Sequence, residues 1–255
     1  MIALLLSSLA FAFQPSQTTW IGIEPNRIQY FDATVQHKLR KQSNWQNFLQ
    51  ENPSWNARFD QRTQLPYRAW GKGISFDASS SQVLEIELRE WIDGQELFGV
   101  KSSSLRVKDL AQDSRSGRWY VHFDQVQMLS EPVYNEQRDE MVREVVLWRS
   151  GVDFRLQETQ MTQFTAQTHP DVKNIDWVVS IDAIDALDIA QMEGPASASF
   201  HWNKDVELVI LPWERSGVLE YKLCWKVSSE TESPLGQWVS FVDAETGALL
   251  NTHNE

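Results

Sequence analysis

The sequence predicts an α+β protein of two lobes, each a helix laid on an antiparallel sheet. Three observations carry this. The run "SSSQVLEIELREWIDG" places Leu84, Leu88, Trp91 and Ile92 on one helical stripe, which needs a sheet to cover. The segments after it alternate with period two, Trp119, Val121, Phe123 and Gln125 sharing a face, as in a sheet packed on one side and wet on the other. The same order recurs in the second half, a helix at "SIDAIDALDIA" and then strands.

In chain order, residues 1–12 form an apolar run ending in Ala10-Phe11-Ala12 and read as a signal peptide. No Lys or Arg precedes the run, so a trimmed start or a first strand is the alternative. Residues 13–51 read as a loose arm followed by a helix with Trp45, Phe48 and Leu49 at helical spacing, ended by Pro53. The first lobe spans 52–164. It opens with strand pieces at Phe59–Gln61 and Tyr67–Trp70, and Gly71 and Gly73 mark a turn or bulge. Ser79 and Gln82 fit a capping box for its helix, and Gly94 suits a left-handed stop. Four β-rich runs follow, separated by turn signals at Ser116-Gly117 and Ser150-Gly151. Residues 165–173 read as a linker. In the second lobe, 174–255, Ala183, Ala186, Leu187 and Ala190 give a helix with a small-residue face. The strands "VELVILPW" and "EYKLCWKV" and a closing hairpin around Asp243 to Gly247 complete it.

With 255 residues and 42% hydrophobic content, the chain can bury a substantial core. A formal charge of -12 argues against a nucleic-acid surface, which requires clustered Lys and Arg. Outside the first residues, no stretch approaches the ~20 apolar residues of a membrane-spanning helix. The lone Cys224 excludes an internal disulfide and reads as a small residue buried under a helix, on the strand face opposite Tyr221, Leu223, Trp225 and Val227.

Catalytic constellations are missing from the sequence. None of the five histidines sits in a His-Glu-x-x-His pair, and Asp182, Asp185 and Asp188 read as a solvated helix face. There is no Gly-x-Ser-x-Gly elbow, phosphate-cradling glycine loop or Cys-x-x-Cys pair. No catalytic, cofactor or metal residue is therefore assigned. Of the twelve tryptophans, Trp119 and Trp225 fall on core faces, whereas Trp213 and Glu214 in "LPWERSG" are candidates for touching a partner.

Several stretches resemble the pro-region of thermolysin- and fungalysin-type secreted metallopeptidases, a fungalysin/thermolysin propeptide motif followed by a PepSY domain. They are "LPYRAWGKGI", "ELFGV" and "VHFDQVQMLSEPVY", with Phe123, Gln125, Pro132 and Val133 on motif positions. The family's turn glycine is replaced here by Ser130 or Glu131. In the second half the carriers are "LVILPW", "YKLCWKV" and "QWVSFVDAETGALL", with Trp225, Trp238, Phe241, Asp243, Ala244, Thr246 and Gly247 matching. The resemblance implies a cystatin-like second lobe and a secreted or periplasmic, non-catalytic module. Its partner would be a metallopeptidase catalytic domain, acting in cis or in trans, which the module inhibits and helps to fold. Two further readings are a freestanding envelope protein whose PepSY-like half binds another partner, and an enzyme of unrecognised type.

Overall fold

The computed structural model describes residues 32–172, 177–193, 200–215, 218–232 and 235–254. The signal-peptide reading of 1–12 lies outside these residues, as does the arm before Asp32. The chain is α+β, but its strands form one ten-stranded sheet rather than two.

Helices α1 (Ala33–Leu39) and α2 (Ser43–Glu51) come first. The first of these was not predicted; the Asp32 carboxylate caps it by accepting the amides of Thr34 and Val35. Strands β1 (Asn56–Phe59) and β2 (Pro66–Ser75) form a hairpin, and the register of β2 slips between Trp70 and Ile74, where Gly71 and Gly73 stand. Helix α3 (Ser81–Gly94) is capped by Ser80 rather than Ser79. It does not end in a left-handed glycine, since the extended Gln95 closes it; the positive φ falls at Gly99.

Strands β3 (Leu105–Asp113), β4 (Arg118–Asn135), β5 (Glu140–Gln157) and β6 (Gln160–Gln167) follow, then α4 (Ala183–Glu193). The chain closes with β7 (Phe200–Arg215), β8 (Val218–Glu232), β9 (Leu235–Asp243) and β10 (Leu249–Asn254). The expected linker thus begins as the end of β6 and continues through a 3-10 turn at Pro170–Val172.

The long β4–β5 hairpin is the spine of both lobes. One half of β5, from Gly151 onward, pairs with β6, whereas Val146 and Leu147 pair in parallel with Val209 and Ile210 of β7. Ser150-Gly151 is therefore not a turn between two strands. It belongs to a wide bulge in which Leu147 to Ser150 of β5 stand opposite Gln125 alone on β4, with Arg149 at φ 53°.

This bulge shifts the phase of the strand. Before it the buried β5 residues are Val145 and Leu147, and after it Val152, Phe154 and Leu156. Because side chains alternate with period two, the offset keeps both buried sets on one side of the sheet. On that side α1 to α3 cover the first core, where Phe48, Trp91, Phe98, Phe154 and Phe164 meet largely edge to face and Trp45 stands edge-on to Phe59, and α4 covers the second.

The opposite side carries no helix among the described residues. There the second half of the sheet buries a small cluster of its own, Val209, Leu211, Cys224, Val239 and Phe241, with Trp148, Trp213 and Leu250 packed against it. Cys224 is fully buried as expected, yet in this cluster and not under a helix; it is Leu223, Trp225 and Val227 that face α4.

Candidate functional site

The side of the sheet without helices holds a trough of about 1010 Å³ where the two lobes meet. Strand alternation decides its lining. On β4 the even-numbered Tyr120, His122 and Asp124 face the trough while Trp119, Val121 and Phe123 enter the core. On β5 the phase shift brings Val146 and Trp148 from one half, and Gly151, Asp153 and Arg155 from the other, onto the same wall. Arg106, Lys108 and Asp109 of β3, Thr165 of β6, Glu207 of β7 and Lys226 of β8 also line it.

At the centre His122 is held between two carboxylates. Its Nδ1 lies 2.6 Å from Asp153 Oδ1 and its Nε2 2.9 Å from Asp124 Oδ1, so each ring nitrogen faces an acceptor. The hydrogen bonds to Asp124 and then Asp153 push the imidazole up to about 9, against its partial burial, so it is a cation at neutral pH. Burial works to raise both aspartates. It is the largest single effect on each, and only the bond to His122 and the imidazolium charge together with Lys108 and Arg106 at Asp124, or with the Thr165 hydroxyl and Arg155 at Asp153, overcome it, so both carboxyls titrate below their usual range. Thr165 Oγ1 donates to Asp153 Oδ2 at 2.6 Å, and Lys108 Nζ stands 3.5 Å from Asp124. On the far wall Lys226 Nζ pairs with Glu207 at 2.8 Å and lies 4.4 Å above the Trp148 ring.

The cluster has the parts of an acid–base relay but is poorly suited to act as one. A general base should titrate near the working pH, and an imidazole protonated up to about 9 does not. Thr165 spends its proton on Asp153, not on His122. Cys224 is buried away from the trough with its thiol pushed far up by desolvation. Among the described residues no group of three or more His, Cys, Asp and Glu side chains could hold a metal ion.

The residues singled out in the sequence lie outside the trough and are spread over the first core, the second core and the cluster on the open side. Phe123 and Trp225 are fully buried in the first and second cores, and Trp225 Nε1 donates to the Ile181 carbonyl. Gln125 is buried at the phase-shift bulge, where it binds the backbone of His169. Pro132 is exposed in an irregular stretch of β4 between Met128 and Val133, and Val133 packs on the second core. Trp238 is half-buried, and Phe241 lies 5.5 Å from Trp148 in the cluster on the open side. Asp243 Oδ1 accepts the amides of Glu245 and Thr246, and Gly247 has φ +73° and donates to the Asp243 carbonyl. Trp213 is half-buried against the same cluster, and Glu214 forms an ion pair with Arg62 at 3.0 Å.

Sequence reasoning missed His122, Asp124, Asp153 and Lys226 as a set. A signal existed for two: in "VHFDQ" His122 and Asp124 are two residues apart on the strand face assigned to water. Asp153 could be joined to them only through its register opposite His122.

No family model matches the chain, and no curated protein sequence matches it. Among solved structures, the Bacillus megaterium YpeB C-terminal domain aligns over 78% of this chain and 76% of that one, at 12% identity and a TM-score of 0.36. The YpmB protein from Bacillus subtilis aligns over 60% of this chain and 88% of its own, at 13% identity and a TM-score of 0.22. Likeness this distant transfers no activity. The resemblance to the fungalysin/thermolysin pro-region gains no support from these comparisons.

Proposed function

We propose that the chain is a non-catalytic binding protein of PepSY-type layering that docks a polypeptide partner on the open side of its sheet. One observation carries this reading: the bulge in β5 places both lobes' helices on one side and leaves on the other a trough lined from both lobes. A continuous concave surface with fixed polar groups suits recognition, and its central imidazolium is mismatched to acid–base catalysis. The sequence's other nomination, Glu214, supports a metallopeptidase pro-region less well, because its carboxylate is already paired with Arg62 instead of free to approach a zinc ion.

The test is site-specific photocrosslinking in the cells that make the protein. A photoreactive phenylalanine replaces Tyr120 in the trough or, as the control, the exposed Ile86 on α3. A discrete polypeptide adduct from position 120 and none from 86 is expected. Adducts from 86 alone, or peptide turnover by the purified protein abolished by one trough substitution, would replace this reading. If the adduct proves to be a thermolysin-like peptidase, the pro-region partner is restored.

A further inference from the structure

The chemistry of the trough narrows the partner. Building on the docking reading above, we infer that the trough takes an extended segment rich in Asp and Glu. The chain as a whole is strongly acidic at -12, yet its trough is not: cationic side chains outnumber carboxylates on the lining.

The state of the carboxylates matters as much as their number. Asp124 accepts His122 and lies near Lys108 and Arg106, Asp153 accepts His122 and Thr165, and Glu207 is bound to Lys226. Their acceptor capacity is largely spent inside the protein. On the trough's own lining Asp109, paired opposite His122 at the bulge of β3, is the one further carboxylate, and the hollow beyond adds Glu140 and Glu144, which pair with Arg138 and Arg106. Donor capacity is only partly spent: Arg106 pairs with Glu144 at 3.2 Å and Lys108 with Asp124 at 3.5 Å, but a guanidinium carries five N–H groups and an ammonium three, and these side chains are 48% and 63% exposed. Arg155 stands exposed on the neighbouring wall. A surface that offers donors and withholds acceptors selects a ligand that brings carboxylates.

Shape selects an extended ligand. A second hollow of about 390 Å³ shares Arg106, Val146 and Glu207 with the trough and continues it along β5 to Val142. From Arg155 to Val142, with the three extra residues of the bulge adding no length, the strand spans on the order of 30 Å, about the reach of ten extended residues. Nucleic acid fits less well, because single strands stack successive bases on several open aromatic faces, whereas the Trp148 face is capped by Lys226 and Tyr120 is left as the exposed aromatic of the trough.

Fluorescence anisotropy on the full chain at low salt tests this with three labelled probes of about ten residues. They are an alternating Glu-Ser peptide, an alternating Lys-Ser peptide and a single-stranded DNA. Saturable micromolar binding of the Glu-Ser probe alone is expected. The Arg106→Ala/Lys108→Ala double variant should weaken it at least about tenfold, and Arg155→Ala, made separately, should weaken it without touching either. Near-UV circular dichroism verifies that the variants fold. Failure of the Glu-Ser probe to saturate, equal affinity in all variants, or tighter binding of the Lys-Ser probe or the DNA would overturn the inference. A crosslink from position 120 without Glu-Ser binding would remove the charge assignment and leave the docking reading intact.

Discussion

Gln125 and His169 hold each other by a reciprocal amide pair: Gln125 Nε2 donates to the His169 carbonyl at 2.9 Å, and the His169 amide donates to Gln125 Oε1 at 2.8 Å. Both residues are buried. The pair ties the segment after β6 to the point on β4 opposite the β5 bulge.

Gln125→Leu keeps the volume and removes both bonds, leaving a buried N–H and C=O unsatisfied. A loss of about 2–3 kcal/mol is expected in urea unfolding. An unchanged midpoint would show that the pair contributes nothing to stability.

Stability should peak near pH 6.5, with a different histidine on each limb. Burial depresses His169 to about 4, against the attraction of Asp60, so between 4 and 6.5 the unfolded chain binds more protons. The stability tied to His169 is complete above about 6.5 and falls by about 3 kcal/mol as pH drops to 4. His122 behaves oppositely. Raised to about 9 by Asp124 and Asp153, it contributes fully below 6.5 and loses that contribution as pH rises to 9. Solvent around its ring limits the loss to about 1 kcal/mol. In melting scans across pH, His169→Gln should flatten the acid limb and His122→Gln the alkaline one.

A Cβ at Gly151 would overlap the carbonyl oxygen of Phe123, a backbone atom that cannot swing aside. Gly151→Ala should cost about 2 kcal/mol or more. Gly247→Val faces only the positive φ of its turn and no backbone clash, so about 1 kcal/mol is expected there. Denaturant midpoints in the reverse order would refute the close approach at Gly151.

Cys224 should resist alkylation. It is fully buried and burial drives its thiol upward, so little thiolate exists near neutrality. Iodoacetamide should label it only at the rate at which the β7–β10 region opens, and adding mild urea should accelerate labelling sharply. Fast labelling of the native protein would mean the cluster on the open side is loose.

Local structure was legible where the side-chain period carried it. The stripe Leu84, Leu88, Ile92 and the small face Ala183, Ala186, Leu187, Ala190 are the buried residues of α3 and α4, because a single amphipathic face determines each. The Asp243–Gly247 turn was legible because its bonds are local. The joining of the two sheets was not. Ser150-Gly151 has the composition of a turn, and only the pairing of β5 with β4, β6 and β7 makes it a bulge. The trough escaped for the same reason: His122 meets Asp153 across a register that no sequence spacing encodes.

Because β4 and β5 each contribute side chains to both cores, neither lobe has a boundary at which it can melt alone. Unravelling the first would strip Val152, Phe154 and Leu156 from the same strand that supplies Val145 and Leu147 to the second. Small proteins whose parts share packing in this way unfold in one cooperative step, whereas two independent lobes would each show a transition of their own. Tryptophan fluorescence, reporting on Trp45 and Trp225 from the two cores, should therefore change in a single transition coincident with the loss of secondary structure. Were a partner to grip the trough, it would hold this shared strand pair, and the energy of docking would be felt in both halves of the molecule at once.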